Sequence, residues 1–238
     1  MSIFLFAGVV MAKEFWETKA FNQWSKKECE KILKDSPWVK ELNLVGRNVE
    51  FMATGAQGAA ATDNQAPFIK YSLQLRSAAP VRQATVRQAQ IDNKYDSLPA
   101  DQKQAFDQSM ESFLQGVSSE FVVVSVTFDT NNLDNLRELN RHWETQTTER
   151  LKNSVYLSVS KGEKVPILQF IPGNTASQTF QFIFPREVDG NEILKPSDKS
   201  LLLEFEYPLI PARGPLGDGR AFIEFKTDKM KINDEVIY

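Results

Sequence analysis

Apolar positions recur at more than one spacing over the first 150 residues and at a single spacing thereafter. Ser25 followed three residues later by Glu28 is a capping-box pattern, in which the hydroxyl accepts from a first-turn amide and the carboxylate reaches back to the cap amide. It predicts a short helix to about Lys34, with Cys29, Ile32 and Leu33 on one face and Lys26, Lys27, Glu30 and Lys31 on the others. Asp35, Ser36 and Pro37 end it, because the residue before a proline is pushed out of helical space. Residues 48–54 and 67–76 alternate, predicting two strands. Val49, Phe51 and Ala53 share one side of the first, and Ile69, Tyr71, Leu73 and Leu75 one side of the second. The Gly- and Ala-rich residues 55–66 between them predict a long mobile hairpin loop.

Helical spacing returns over residues 77–95 through Val81, Ala84, Gln88, Ile91 and Tyr95, with Pro80 in the first turn, where a missing amide is tolerated. A second helix over 99–115 carries Phe106, Met110, Phe113 and Leu114, with Gly116 just past its end, and the short loop predicts an antiparallel pair. Residues 120–130 predict a strand with Val122, Val124, Val126 and Phe128 on one side, and 131–147 a helix through Leu133, Leu136, Leu139 or Asn140, and Trp143. From there the period is two: 155–159, a turn at Lys161-Gly162-Glu163 and a return strand over 165–171. Further strands follow at 179–185, 200–207, 220–227 and 234–238, with turn chemistry at Asp189-Gly190 and Gly217-Asp218-Gly219. The pattern predicts an α+β fold: a mixed helix and strand region with an antiparallel helix pair, then a mainly antiparallel β region, sandwich-like or continuing the same sheet. The change of period sets a boundary near residue 150, giving a leader-like segment 1–12, an α+β region 13–150 and a β region 151–238.

Charge narrows the partners. The 238 residues carry 28 Lys and Arg against 31 Asp and Glu, a net charge of -3, which argues against nucleic acid because phosphate backbones are bound through an excess of clustered bases. Residues 3–12 (IFLFAGVVMA) are apolar throughout but fall short of the about 20 needed to span a bilayer, so no transmembrane span is expected. Their length suits the apolar core of a signal peptide, and Val10 and Ala12 suit the positions before a cleavage site, although only Met1 and Ser2 stand where a basic region is expected. The other reading is a first strand or buried helix that stays in the fold.

With one His and one Cys in the chain, zinc clusters, CxxC pairs and internal disulfides are excluded, and no metal site or cofactor is expected. His142 lacks any nucleophile elbow to serve and reads as a surface histidine on the polar side of its helix. Asp92 and Asp96 lie four apart, and Glu187, Asp189 and Glu192 surround a Gly turn; a solvated helix end and a polar hairpin tip account for them. Gly214, Gly217 and Gly219 make no phosphate loop, since no Gly-Lys-Ser/Thr follows. Two groups are candidate binding residues. Trp16, Trp24 and Trp38 crowd the N-terminal segment: exposed, they form a platform for a sugar or protein, and buried, as the short helix's need for apolar area favours, they clamp it onto the sheet. Arg76, Arg82 and Arg87, with Lys70 and Lys94, form a basic stretch able to hold an anion or carboxylate bidentately. Positions 82 and 87 do not share a helical face, which favours solvated surface or pairing with Asp92.

The run Phe15-Trp16-Glu17-x-Lys19, Gln23-Trp24-Ser25-x-x-Glu28-Cys29 and Leu33-x-Asp35-Ser36-Pro37-Trp38 resembles a set of uncharacterised secreted proteins of acidobacterial genomes. Pro80-Val81-Arg82-Gln83-Ala84, residues 121–126 and Phe184-Pro185-Arg186 are similar to the same set. The resemblance spans most of the chain after the leader. It implies export and a shared α+β fold, with no activity and no catalytic residues. By exclusion the expected function is a non-enzymatic, extracytoplasmic (periplasmic or secreted) binding or structural module of the cell envelope, whose partner is an envelope protein or extracellular ligand. Two alternatives stand beside it: a carboxylate-dependent hydrolase, which needs two converging acids, and a carrier of an apolar small molecule, which needs a lined cavity.

Overall fold

The computed structural model describes residues 13–45, 68–115, 120–159, 162–173, 176–208 and 219–238. The predicted leader, the strand over 48–54, the loop over 55–66, Gly116, Lys161 and Gly217-Asp218 lie outside the described residues.

The chain opens with α1 (Phe15–Thr18) and α2 (Lys26–Lys34), the latter started by the predicted capping box: the Glu28 amide donates to Ser25 Oγ at 3.3 Å and the Ser25 amide to Glu28 Oε2 at 2.7 Å. Next comes β1 (Val39–Val45), paired antiparallel with β2 (Phe68–Leu75) from Val39 opposite Gln74 to Val45 opposite Phe68. Alternation predicts a partner for β2 at 48–54; among the described residues β2 instead pairs with 39–45 on one side and 121–130 on the other.

The helix pair follows as α3 (Ala79–Asp92) and α4 (Ala100–Gln115), then β3 (Phe121–Thr130), α5 (Leu133–Glu144) and α6 (Thr148–Leu151). The remainder is strand: β4 (Tyr156–Val159), β5 (Val165–Pro166), β6 (Gln169–Ile171), β7 (Thr179–Pro185), β8 (Glu187–Val188), β9 (Asn191–Glu192), β10 (Ser200–Glu206), β11 (Arg220–Lys226), β12 (Lys231–Ile232) and β13 (Glu235–Val236). The β8–β9 hairpin turns through Asp189 and Gly190, both at positive φ (51° and 73°), as a two-residue turn of the primed type requires.

Two antiparallel sheets carry the fold, one ordered β1-β2-β3-β7-β6 and one β11-β10-β4-β5. The α+β class is therefore as the sequence predicts, and the later strands do both things the sequence left open: β6 and β7 extend the first sheet while β4, β5, β10 and β11 build a second one. The predicted return strand 165–171 is shared between them. Ile167 donates its amide to the Val155 carbonyl in the second sheet, and the next residue, Leu168, donates to the Ile183 carbonyl in the first. Such a bend is how sheets make a corner. At the opposite margin β11 runs alongside β1. The result is a flattened antiparallel barrel with its seam at β1 and β11.

The interior follows from alternation. Ile69, Tyr71, Leu73 and Leu75 face Val122, Val124, Val126, Phe128, Phe180, Phe182 and Phe184 across the first sheet, and Leu157, Leu201, Leu203, Phe205, Ile223 and Phe225 face inward from the second. The Phe205 ring joins the two layers, 5.9 Å from Tyr71 and 5.8 Å from Phe182. Helix α5 plugs one side with Trp143, stacked on Phe180 at 4.0 Å. Its burial differs from the predicted face: Leu133 is exposed, and Asn135, Leu139 and Trp143 turn inward. Leu151 and Val155 are buried in this same core, so packing is continuous across residue 150. Among the described residues no helix is long and apolar enough to cross a membrane.

Candidate functional site

Alternation along β10 and β11 has an outer side as well as an inner one. Leu202, Glu204 and Glu206 point away from the core on β10, and Arg220, Phe222, Glu224 and Lys226 do so on β11. The register sets Glu204 directly opposite Phe222 on one side and Tyr156 on the other, so ring, carboxylate and ring form one row across three strands. Glu204 is buried despite its outward position, held by Lys164 and, at 2.8 Å, by Arg220 Nη1. A second arm of Arg220 binds Glu206, and Lys164 lies over the Tyr156 ring at 5.1 Å. Bonding to Glu206, then the nearby Glu204, holds the Arg220 guanidinium above its ordinary range. Phe222 stands beside this network with 65% of its surface exposed, the one aromatic ring among the described residues left open to solvent. A fixed aromatic with an ordered arginine beside it is the composition of a recognition hot spot.

The three tryptophans are buried. Trp24 donates Nε1 to the Lys19 carbonyl at 3.0 Å, Trp38 donates Nε1 to the Ile237 carbonyl at 2.6 Å, and Trp16 packs edge-on against Trp38 at 5.6 Å. The clamp is the arrangement present, and an exposed platform would require these packed faces to open. Only the rim of Trp16 reaches a surface cleft of about 860 Å³, whose walls include Lys31, Lys40, Glu224 and Asp228.

The arginines do not form one patch. Arg87 turns toward the N-terminal segment, donating to the Trp24 carbonyl at 3.0 Å and to Gln90 Oε1 at 3.2 Å, with Asp96 at 3.8 Å. Arg82 is buried and bound to the carbonyls of Ser77 and Leu114, while Arg76 lies over Phe113 at 4.7 Å. Solvation or pairing with Asp92, favoured from helical spacing, is therefore corrected: α3 is covered on two sides, by α2 and by α4, and these side chains reach backbone carbonyls instead.

The carboxylates find separate partners. Asp92 accepts from Gln88 and Lys26, which hold its pKa below the usual range, whereas Asp96 faces Arg87. Glu187, Asp189 and Glu192 are exposed at the β8–β9 tip, and among the described residues no group of three potential ligands could hold a metal ion. His142 is half-buried against Trp143, with its ring 4.8 Å away, and burial lowers its pKa; the surface position expected from sequence is corrected to this extent. The described cavity beside Trp143 and Phe180 is about 10 Å³, room for one water and not for an apolar ligand.

The row at Glu204 was not singled out from sequence. A signal was present: in residues 220–227 the inward set is Ala221, Ile223 and Phe225, which leaves Phe222 as an aromatic on the polar side. Comparison with protein-family models, curated proteins and solved structures gives no match to this chain.

Proposed function

We propose that this protein is a non-enzymatic binding module of the cell envelope, working outside the cytoplasm, and that it engages a partner protein through the outer face of the second sheet. The observation that carries this reading is Phe222, exposed on the edge strand β11 beside the paired charges of Lys164, Glu204, Arg220 and Glu206. Among the described residues of this face Lys164, Arg220 and Lys226 balance Glu204, Glu206 and Glu224, leaving no net charge there to favour a polyanion or a lipid headgroup layer. An uncharged, preordered face around an aromatic anchor suits a protein surface that buries the ring and completes a polar rim. Export is supported by the apolar length of residues 3–12 and by the resemblance to secreted proteins.

The test places a photo-crosslinking residue at position 222 in the native host, followed by fractionation and intact-mass measurement, with position 72 on the outer side of the first sheet as control. The expected result is a protein beginning at Lys13, recovered outside the cytoplasm, with one discrete adduct from position 222 that Phe222→Asp suppresses in a strain cross-linked from position 158. A cytosolic protein that retains Met1, or equal adduct yields from positions 72 and 222, would overturn the proposal.

A further inference from the structure

The outer side of the first sheet carries a different chemistry from its inner side. Tyr71, Leu73, Val124 and Val126 turn into the core, and the positions that alternate with them are Ser72, Gln74, Ser125 and Thr127. Register sets Ser72 opposite Thr127 and Gln74 opposite Ser125, so four uncharged polar side chains form one block across β2 and β3. The end of α2, through Leu33 and Lys34, borders this block and encloses with it a cleft of about 360 Å³. Glu41 on β1, Lys70 on β2 and Asp129 on β3 complete the walls.

Ser125 is 6% exposed, and its hydroxyl has no hydrogen-bond partner among the described residues although it borders the cleft. A buried hydroxyl is costly unless protein, water or a ligand meets it. Gln74 beside it is held in place, with Nε2 donating to the Leu33 carbonyl at 3.2 Å and Oε1 left as an acceptor. The charges of the wall are mixed in sign: Lys70 lies 3.4 Å from Glu41, and Lys34 and Asp129 add one of each. An anion or a cation would meet a like charge in such a wall, whereas a neutral ligand that both donates and accepts finds both kinds of partner. Leu33 is the single wholly apolar side chain of the lining, too little to hold an apolar molecule.

We propose that this cleft binds a neutral, polyhydroxylated small molecule, with a sugar ring as the chemistry that fits. Each hydroxyl of a sugar is donor and acceptor together, and so are the hydroxyls of Ser72 and Ser125 and, between its two ends, the amide of Gln74. The volume lies near the lower end of the range for small-molecule sites, about 300 to 1,000 Å³, which suits a ligand of one ring or two. The cleft is on the first sheet and Phe222 on the second, so the two proposals stand or fall independently.

Titration of the full chain with D-glucose, D-galactose, D-mannose and N-acetyl-D-glucosamine, followed by amide chemical shifts in NMR spectra, tests it. At least one of these should move the amide signals of Ser72, Gln74 and Ser125 saturably, with Kd below about 10 mM, and sodium acetate should not. Ser125→Ala should weaken that binding at least about fivefold while leaving the melting temperature unchanged or higher, because the hydroxyl it removes is buried without a partner in the protein. Ser72→Ala should also weaken it, and Lys226→Gln, on the second sheet, should leave it unchanged. Methyl glycosides distinguish the sources: binding equal to that of the free sugar assigns the cleft to a sugar unit within a glycan, and clearly weaker binding to the free sugar. No saturable shift with any of these sugars at about 50 mM, or binding undiminished in both serine variants, would overturn the assignment.

Discussion

Replacing Glu28 by Gln should lower stability in a way that depends on pH. Glu28 Oε2 accepts from the Ser25 amide at 2.7 Å, the Ser25 hydroxyl at 2.8 Å and Lys19 Nζ at 2.8 Å. Bonding to Lys19 first, and to the Ser25 amide second, lowers its pKa from 4.5 to about 2. Taken at face value that displacement is worth about 3 kcal/mol. The side chain keeps 25% of its surface in water, so solvent screening reduces the figure to about 1 to 2 kcal/mol, similar to the loss of a helix cap. A carboxyl whose folded pKa is depressed stabilises fully above its unfolded pKa, and the contribution fades as pH falls through the folded value. The difference between wild type and Glu28→Gln should therefore be constant from neutral pH to about 5, drop below half by about pH 3 and approach zero near 2. Urea unfolding followed by tryptophan fluorescence at pH 7, 5 and 3 measures it. A gap of equal size at pH 7 and 3 would show that the carboxylate charge contributes nothing to the start of α2.

Two further outcomes follow from buried groups. Burial pushes the Cys29 thiol up to about 11, so alkylation by iodoacetamide at pH 8 should be roughly 100-fold slower in the native protein than in urea, and equal rates by mass spectrometry would contradict the packing of α2 on α3. Tyr71 Oη and Trp143 Nε1 are buried near one another without a hydrogen bond of ordinary geometry to any group, and burial raises the phenol's pKa while Trp143 opposes it. Tyr71→Phe should then change unfolding free energy by no more than about 0.5 kcal/mol, and a loss above about 1.5 kcal/mol would mean that the hydroxyl is bonded in the core.

The parts of the fold legible in the sequence are those written in local chemistry. The capping box at Ser25, the Asp189-Gly190 turn and the alternation of residues 121–130 each specify their element without help from the rest of the chain. Strand β1 is hidden in the sequence because Lys40 shares the inner side with Leu42 and Leu44, which shortens the alternating run to a few positions. The division of residues 165–171 between two sheets is invisible to a period of two, which fixes faces and says nothing about partners. At the sites, spacing on one helix wheel separates Arg82 from Arg87 correctly but gives neither its surroundings, since Arg82 bonds a carbonyl at the end of α4, 32 positions later, and Arg87 the Trp24 carbonyl, 63 positions earlier. The grouping at Glu204 likewise depends on register between strands far apart in the chain.

The bond from Trp38 to Ile237 joins positions 199 apart, and β11 lies along β1 at the same margin. During synthesis from the N-terminus β1 therefore waits for β11, and the seam cannot be sealed before residues 220–237 have been made. Contacts this distant also slow the search for the native state, because each closes a very long loop. Until the seam closes, the two sheets stay open along that margin. Slow closure is thus written into how far apart in the sequence the two sides of the seam lie.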